Sequence, residues 1–121
     1  MGLFRGEQQE TLYLVKCPEE IDDASCRQLE TVFKTSWLGL PVKIFVFDFS
    51  QTTFIGKTSY RLLMPIFKSI RAKEQSKLLF SINLSRTLAS QLKGDGMIDQ
   101  FGVVDSLKTA LSKVALQPAR T

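Results

Sequence analysis

The segment QTTFIGKTS at residues 51–59 contains Gly-Lys-Thr, which ends the phosphate-binding loop of many nucleotide-hydrolysing proteins. Such a loop also needs a glycine five positions before Gly56, but that position holds Gln51. Three of the four residues between them are β-branched, and such side chains resist the positive φ angles with which the loop wraps a phosphate. The segment therefore does not predict a nucleotide site.

Thr58 indicates a different chemistry, because its hydroxyl lies between a strand-like run and a helix-like run. At a helix N-terminus a hydroxyl is exposed and surrounded by backbone N–H groups without intrahelical partners. Such a hydroxyl can be presented to another protein instead of to a nucleotide.

The residue types exclude most familiar catalytic sites. The chain has no histidine, which removes the commonest general base and the usual zinc ligands. Its two cysteines, Cys17 and Cys26, fit no zinc spacing, so we expect reduced thiols. These absences close most familiar routes to an enzyme without excluding one, and we expect neither a cofactor nor a metal.

The net charge of +4 permits an acidic partner or nucleic acid and requires neither. Nucleic acid is the less expected partner, because only Tyr60 and Trp37 could offer stacking surfaces and they form no motif. No apolar run approaches the roughly 18 residues that span a bilayer, and residues 1–10 lack the apolar core of a signal peptide. The expectation is a cytoplasmic protein without membrane insertion.

Five segments have the patterns of β-strands. Residues 42–49 and 77–83 are almost continuously apolar, which predicts strands that are buried on both faces. Residues 11–17 alternate and predict a half-buried strand. Weaker signals predict short strands at residues 3–5 and 101–104.

Four helices are predicted from capping residues and from the period of the apolar residues. They are a first helix capped by Asp22 or Asp23, a second from about Thr58 to Lys73, a third over 84–96 that starts near Ser85, and a fourth over 105–116 capped by Asp105 or Ser106. The predicted inward residues are Cys26, Leu29, Val32 and Phe33 in the first helix and Leu107, Leu111 and Val114 in the fourth. Phe54 and Ile55 are also expected to pack inward.

The second helix separates an apolar face from a cationic stripe when its residues are placed at 100° intervals. The core-facing residues are Leu62, Leu63, Ile66, Phe67 and Ile70. The opposite face carries Lys57, Arg61, Met64, Lys68 and Arg71. This stripe with an exposed methionine is either a docking surface or the solvated side of an amphipathic helix. Pro65 lacks a backbone N–H, which predicts a kink or an exposed carbonyl at Arg61.

These elements and their motifs resemble the STAS domain of anti-sigma-factor antagonists. In that family an apolar strand ending in aspartate leads to a turn of the type tFiDSSGl. Here Asp48 ends the strand, and Thr53, Phe54 and Ile55 match the approach to the turn. Further matches are EEIDDAS at 19–25, GMI at 96–98, Phe101 and VDSL at 104–107. The resemblance covers roughly residues 10–115.

Aligned residue by residue, Thr58 takes the place of the serine that is phosphorylated in the antagonists. Gly56 replaces the family's aspartate, and Ser59 replaces its glycine. A hydroxyl is therefore kept at the acceptor position while its acidic neighbour is lost.

The resemblance implies that Thr58, or alternatively Ser59, is a phosphoacceptor. A phosphate there would add about −1.5 to −2 charges, and we expect it to change binding without altering the fold. Three interpretations of Thr58 stay open: a regulated phosphoacceptor, an unmodified binding turn, and a residue that only caps the helix. Lys57 could pair with a phosphate on Thr58, or it could mark a turn that binds partners without being phosphorylated.

The resemblance implies a single α/β domain over residues 1–121, with a core at about 10–115 and a frayed tail at 117–121. It implies a mixed β-sheet of four to five strands with about four packed helices. The implied function is a non-enzymatic interaction module of a bacterial partner-switching pathway. Its partners would be an anti-sigma factor or switch-protein serine/threonine kinase and a cognate phosphatase. The alternative is a constitutive subunit of a transporter or signalling assembly. The expected partner-binding residues are Asp22, Asp48, Gly56, Lys57, Ser59, Tyr60, Arg61 and Met64.

Overall fold

The computed structural model describes residues 2–9, 11–37, 39–72 and 77–115. In chain order the elements are β1 (Arg5–Gln9), β2 (Leu12–Lys16), β3 (Glu20–Ile21), α1 (Asp23–Val32), β4 (Ile44–Asp48), β5 (Phe54–Ile55), α2 (Tyr60–Arg71), β6 (Leu78–Ile82), α3 (Arg86–Gly94) and α4 (Leu107–Ala115). A π-helical turn, Phe33–Trp37, extends α1, and 3-10 turns span Lys57–Ser59 and Ile98–Gln100.

The main sheet has the strand order β1-β2-β4-β6. β1 is antiparallel to β2, whereas β2, β4 and β6 are parallel to one another. This mixed four-stranded sheet with its four helices confirms the predicted fold class. The strand expected at 101–104 is reduced to one parallel bridge between Ser81 and Val103. The strand expected at 3–5 begins only at Arg5 and runs on to Gln9.

β4 is buried on both faces, as predicted, because helices cover both sides of the sheet. Phe45 and Phe47 belong to the larger core, which includes residues of α1, α2 and α3. Ile44 and Val46 point the other way, into a smaller core with Ala110 of α4. β4 is therefore the centre of the molecule.

The prediction of a half-buried strand at 11–17 is wrong for β2. Leu12 lies in the smaller core, while Tyr13 and Val15 lie in the larger core, and all three are buried. Both faces of β2 are covered because the helices on the two sides of the sheet extend over it: α1 and α2 contribute to the larger core and α4 to the smaller one.

Side-chain oxygens cap three of the helices. The caps are Asp22 for α1, Ser85 for α3 and Ser106, rather than Asp105, for α4. Asp22 also forms a reciprocal pair with Ser25, whose hydroxyl accepts from the Asp22 N–H at 2.9 Å. The predicted inward face of α1 is confirmed, with Cys26, Leu29 and Phe33 buried and Val32 packed against them.

The inward face of α4 differs from the prediction. Ala110 is fully buried and Leu107 is partly buried against the sheet, whereas Leu111 is 43% exposed. Leu111 turns outward because residues three apart, 107 and 110, already form the stripe that meets the sheet. Three predictions lie outside the described residues: the side chain of Val114, the end of the second helix at Lys73, and the tail at 117–121.

Candidate functional site

The turn at 56–59 is positioned by a small second sheet that the sequence pattern does not predict. β3 ends directly before α1, and β5 ends directly before the turn that leads into α2. The two strands are parallel, with Ile21 opposite Ile55. The Gly56 N–H then donates to the Ile21 carbonyl at 2.9 Å. This register places the start of α1 beside the start of α2.

Asp23, the first residue of α1, joins the two helix starts. Its Oδ1 accepts from the Ser59 hydroxyl at 2.9 Å and from the Thr58 hydroxyl at 3.0 Å. These bonds hold the pKa of the Asp23 carboxyl below its usual value, and the bond from Ser59 has the larger effect. The positive charges of Arg61 and Arg27 lower this pKa further. A phosphate on Thr58 would therefore meet a carboxylate and nearby cations.

The two hydroxyls that share Asp23 differ in accessibility. Thr58 is exposed, whereas Ser59 is only 1% exposed. Ser59 is enclosed because α1 packs on it: the Cys26 thiol donates to the Ser59 carbonyl at 3.8 Å. Burial, with the charge of Asp23, raises the pKa of Cys26 to about 12, so this thiol stays protonated. The structure therefore corrects the assignment of Ser59 as an alternative acceptor or partner contact, since its oxygen is not accessible.

A hydrogen-bond network from α3 holds the other side of the turn. Gln91 pairs with the backbone of Ile55 as a neighbouring strand would: its Oε1 accepts from the Ile55 N–H at 3.2 Å and its Nε2 donates to the Ile55 carbonyl. The same Nε2 donates to the Tyr60 hydroxyl at 3.0 Å. Tyr60 in turn donates to Asp95 Oδ2 at 2.7 Å.

Tyr60 is thus part of the support of the turn and not of its surface. It is 8% exposed, which corrects its prediction as a partner-binding residue. Burial, together with the bond to Asp95, raises the pKa of Tyr60 well above its usual value. The same bond lowers the pKa of the Asp95 carboxyl, and the positive charge of Lys57 lowers it further. Lys57 therefore lies within the electrostatic reach of the network.

No protein-family model and no curated protein matches the sequence. Solved structures do match over nearly the whole chain. The anti-sigma-factor antagonist SpoIIAA in its unphosphorylated form has a TM-score of 0.71 at 15% identity, covering 96% of this chain and 99% of that chain. SpoIIAA of Bacillus in the phosphorylated form gives 0.64 at 16% identity, covering 92% and 98%. An anti-sigma-factor antagonist (STAS) domain protein from Planctomyces limnophilus gives 0.73 at 16%, covering 93% and 98%.

The chain has the STAS fold. A sulfate transporter family protein from Wolinella succinogenes matches equally well, with a TM-score of 0.72 at 17% identity and coverage of 89% of this chain and 88% of that chain. The STAS fold is therefore shared with antagonists and with a transporter-family protein.

Around the turn, Lys57 and Arg61 are exposed, as the stripe predicts. Met64 is partly buried and packs against the larger core, which corrects the prediction of an exposed methionine. Phe54 is 51% exposed, so the prediction that it packs inward is wrong. Neighbouring strand residues face opposite sides, and in β5 the buried side is taken by Ile55.

The part of the cationic stripe near the end of α2 is less accessible to a partner than the sequence indicates. Arg71 donates to the Gln100 carbonyl at 2.7 Å, and burial lowers the pKa of its guanidinium. Lys68 is exposed, and Pro65 lies inside α2 on its exposed side. The free cations therefore lie mainly near the start of α2.

The two remaining predicted contacts, Asp22 and Asp48, already have structural roles. The Asp22 carboxylate caps α1 by accepting from the Ser25 N–H at 2.8 Å. Asp48 Oδ1 accepts from the Ser50 N–H at 2.9 Å and from the Asn83 amide at 3.1 Å, which fixes the loop after β4. Asp22 therefore stabilises the start of α1, and Asp48 stabilises the loop between β4 and β5, which precedes the turn.

The backbone before the turn does not form a phosphate cradle. The N–H groups of Thr52, Thr53 and Gly56 donate to the carbonyls of Phe49, Glu19 and Ile21. Trp37 is buried, so neither aromatic candidate for base stacking is available. Within the described ranges, no cluster of three potential ligands could hold a metal ion, and no helix is long and apolar enough to cross a membrane.

Sequence reasoning missed Asp23 and Gln91 as site residues. Asp23 is 35 residues from Thr58 in the chain, and Gln91 is 36 residues from Ile55. The available signal was indirect: residues 19–25 and 53–58 both match family motifs, and their adjacency follows only once β3 and β5 are paired.

Proposed function

We propose that this STAS domain is a non-enzymatic interaction module whose exposed turn, Gly56–Thr58, contacts protein partners, and that phosphorylation of Thr58 regulates this contact. The proposal rests on one observation: the exposed Thr58 hydroxyl at the start of α2, hydrogen-bonded to Asp23. The match to a phosphorylated form of SpoIIAA supports a fold that accommodates such a modification.

The charge balance at this corner explains how a phosphate would act. Phosphorylation removes the hydrogen that Thr58 donates to Asp23 and adds about −1.5 to −2 charges beside that carboxylate. The two groups repel, so we expect the phosphate to turn toward Lys57 and Arg61, which are exposed. A partner packed on the unmodified turn would have to desolvate the phosphate, which disfavours the complex.

In this proposal the catalytic chemistry belongs to the partners. A serine/threonine kinase, such as an anti-sigma factor or switch protein, would transfer the phosphoryl group, and a phosphatase would remove it. This chain supplies the acceptor oxygen and the surrounding surface. The turn is held from two sides, by Asp23 and by Gln91, so it can be presented without prior rearrangement.

The proposal is tested by capturing partners with the parent protein and with Thr58→Ala and Thr58→Glu, followed by quantitative mass spectrometry. Ser112→Glu is the matched control, because Ser112 is exposed on α4, whose helix packs on the opposite face of the sheet. We expect Thr58→Glu to lose or exchange a partner that the parent, Thr58→Ala and Ser112→Glu retain. Phosphate on Thr58 of the parent should be detected in the same experiment. Identical partners for all four proteins, with Thr58 unmodified, would refute the regulated switch.

A second candidate function is a constitutive subunit of a transporter or signalling assembly. Two observations favour it: Gly56 and Lys57 replace the acidic approach to the acceptor, and the fold matches a sulfate transporter family protein. In this case Thr58→Glu should weaken a stable complex that is insensitive to ATP, and no phosphorylated Thr58 should be found.

A further inference from the structure

An open groove of about 540 Å³ lies outside the corner that carries Thr58. Its walls are formed by the N-terminal segment at Leu3, by the residues that follow β2, and by Gln51 after β4. The groove therefore sits beyond the carboxyl ends of parallel strands, which is where open α/β sheets bind ligands. Its volume is in the range of small-molecule sites, and none of residues 56–59 lines it.

The N-terminal wall of the groove is fixed by specific contacts. The Gln28 side chain on α1 accepts from the Phe4 N–H at 3.0 Å and donates to the Phe4 carbonyl at 3.2 Å. Gly2 packs so closely on Pro18 that a Cβ at position 2 would lie 2.4 Å from the Pro18 Cβ. The wall is thus built by close packing and paired hydrogen bonds, which makes the groove a stable feature of the fold.

Two cations face each other along one side of the groove. Arg5 and Lys16 are directly opposite in the antiparallel pair of β1 and β2, so their side chains share a face with Cβ atoms about 4.5–5.5 Å apart. Like charges in this arrangement are destabilising. Two carboxylates lie on the same face. Asp48 is the other strand neighbour of Lys16, and its Oδ1 accepts from Ser50 and Asn83. Glu7 is two residues from Arg5 along β1 and lines a shallow hollow with both cations. Among the described residues no carboxylate forms an ion pair with Arg5 or Lys16.

We propose that this groove binds a small molecule that carries one phosphate group, held by Arg5 and Lys16. An arginine fork and an ammonium together match the charge and the geometry of a phosphate. The exposed side chain of Leu3 supplies apolar surface for the rest of the molecule. Glu19 also lines the groove, and its carboxylate would repel a second anionic group, which favours a monophosphate over a polyphosphate.

The binding test uses NMR titration of the isotope-labelled protein with AMP, adenosine and inorganic phosphate. We expect AMP to saturate in the millimolar range or tighter, with amide shifts centred on Leu3, Arg5, Lys16 and Gln51. Phosphate should shift the same amides more weakly, and adenosine should have little effect. The double variant Arg5→Gln, Lys16→Gln should lose affinity by about tenfold or more, whereas Lys93→Gln, Lys113→Gln, which removes the same charge elsewhere, should not.

Other results would overturn the proposal. No saturation by either AMP or phosphate would remove the site, and an equal loss in both double variants would reduce it to general attraction by the net charge. Thr58→Ala should bind AMP like the parent, so this test and that of the proposed switch can fail separately.

A second measurement needs no ligand. Because the opposed cations repel, Arg5→Gln should raise the midpoint of thermal unfolding at low salt, and this gain should shrink at high salt. A lower midpoint for Arg5→Gln at low salt would mean that the cations are already satisfied within the chain, which would contradict an unfilled anion site.

Discussion

The centre of the main sheet and the corner that carries Thr58 are stabilised by different interactions. In the centre, Phe45 and Phe47 of β4 are fully enclosed by other apolar side chains. At the corner, strands of only two residues each are fastened by polar side chains, chiefly those of Asp23 and Gln91. The centre therefore provides most of the stability, while the corner determines how the turn is presented to partners.

The largest expected difference in free energy of unfolding is between alanine variants of two phenylalanines, one in each region. Phe47→Ala should lower the free energy of unfolding by about 3–5 kcal/mol, because it leaves a cavity where the ring now packs against Phe67 with centroids 5.1 Å apart. Phe54→Ala should change it by no more than about 0.5 kcal/mol, since that ring is half-exposed at the corner. Urea denaturation of both variants measures the difference. Similar losses for the two would mean that Phe54 also packs into a core, and the contrast between the two regions would fail.

Removing the support from α3 should have an intermediate effect. Gln91→Leu leaves the N–H and the carbonyl of Ile55 without their side-chain partner, and we expect a loss of about 1–3 kcal/mol. The local effect should be clearer: the Ile55 amide should exchange hydrogen faster than in the parent, while the amides of β4 change only with global stability.

Gln100→Leu is the control for the Gln91 variant, because Gln100 is exposed and its hydrogen bonds are made by its backbone. Its carbonyl accepts from Arg71 and its N–H donates to the Met97 carbonyl. If Gln91→Leu left exchange at Ile55 unchanged, the turn would be held by the strand pairing alone. Support of the turn by α3 would then be refuted.

The same contrast explains what could be predicted from the sequence. The apolar runs of β4 and β6 and the periodic face of α1 record burial directly, so these elements were predicted within a few residues. β3 and β5 have two residues each, which is too short for any periodicity to show. The burial of β2 on both faces depends on the helices packed on the sheet, and its own alternation gives no sign of them.

At the site, the place of Thr58 at the start of a helix could be predicted from its motif. The burial of Ser59 and Tyr60 could not, because the residues that enclose them come from α1 and α3. Met64 shows the same limit: its position on the helical wheel places it outside the core face, but its long flexible side chain reaches the core. Long-range contacts of single polar side chains leave no periodic signal in the sequence.

The smallest predicted effect is the loss, at low pH, of the stability that Asp23 gives to the corner. The pKa of the Asp23 carboxyl is lowered in the folded state by the hydroxyls of Ser59 and Thr58. Because the folded pKa is lowered, these bonds stabilise the fold at pH values above the unfolded-state pKa of about 3.9. This stabilisation is lost as the pH falls through the lower pKa of the folded state. Carboxyl NMR titration should therefore find Asp23 below about 3.9 in the parent.

Single hydroxyl deletions separate the two contributions to this pKa. Ser59→Ala should raise the pKa of Asp23 more than Thr58→Ala, because the bond from Ser59 is the stronger of the two influences and is shielded from water. Phosphorylation of Thr58 should raise this pKa beyond either deletion, since it removes a donor and adds negative charge beside the carboxylate. If Thr58→Ala had the larger effect, the exposed hydroxyl would be the main partner of Asp23. Phosphorylation would then disturb the folded corner itself, rather than mainly the surface that a partner contacts.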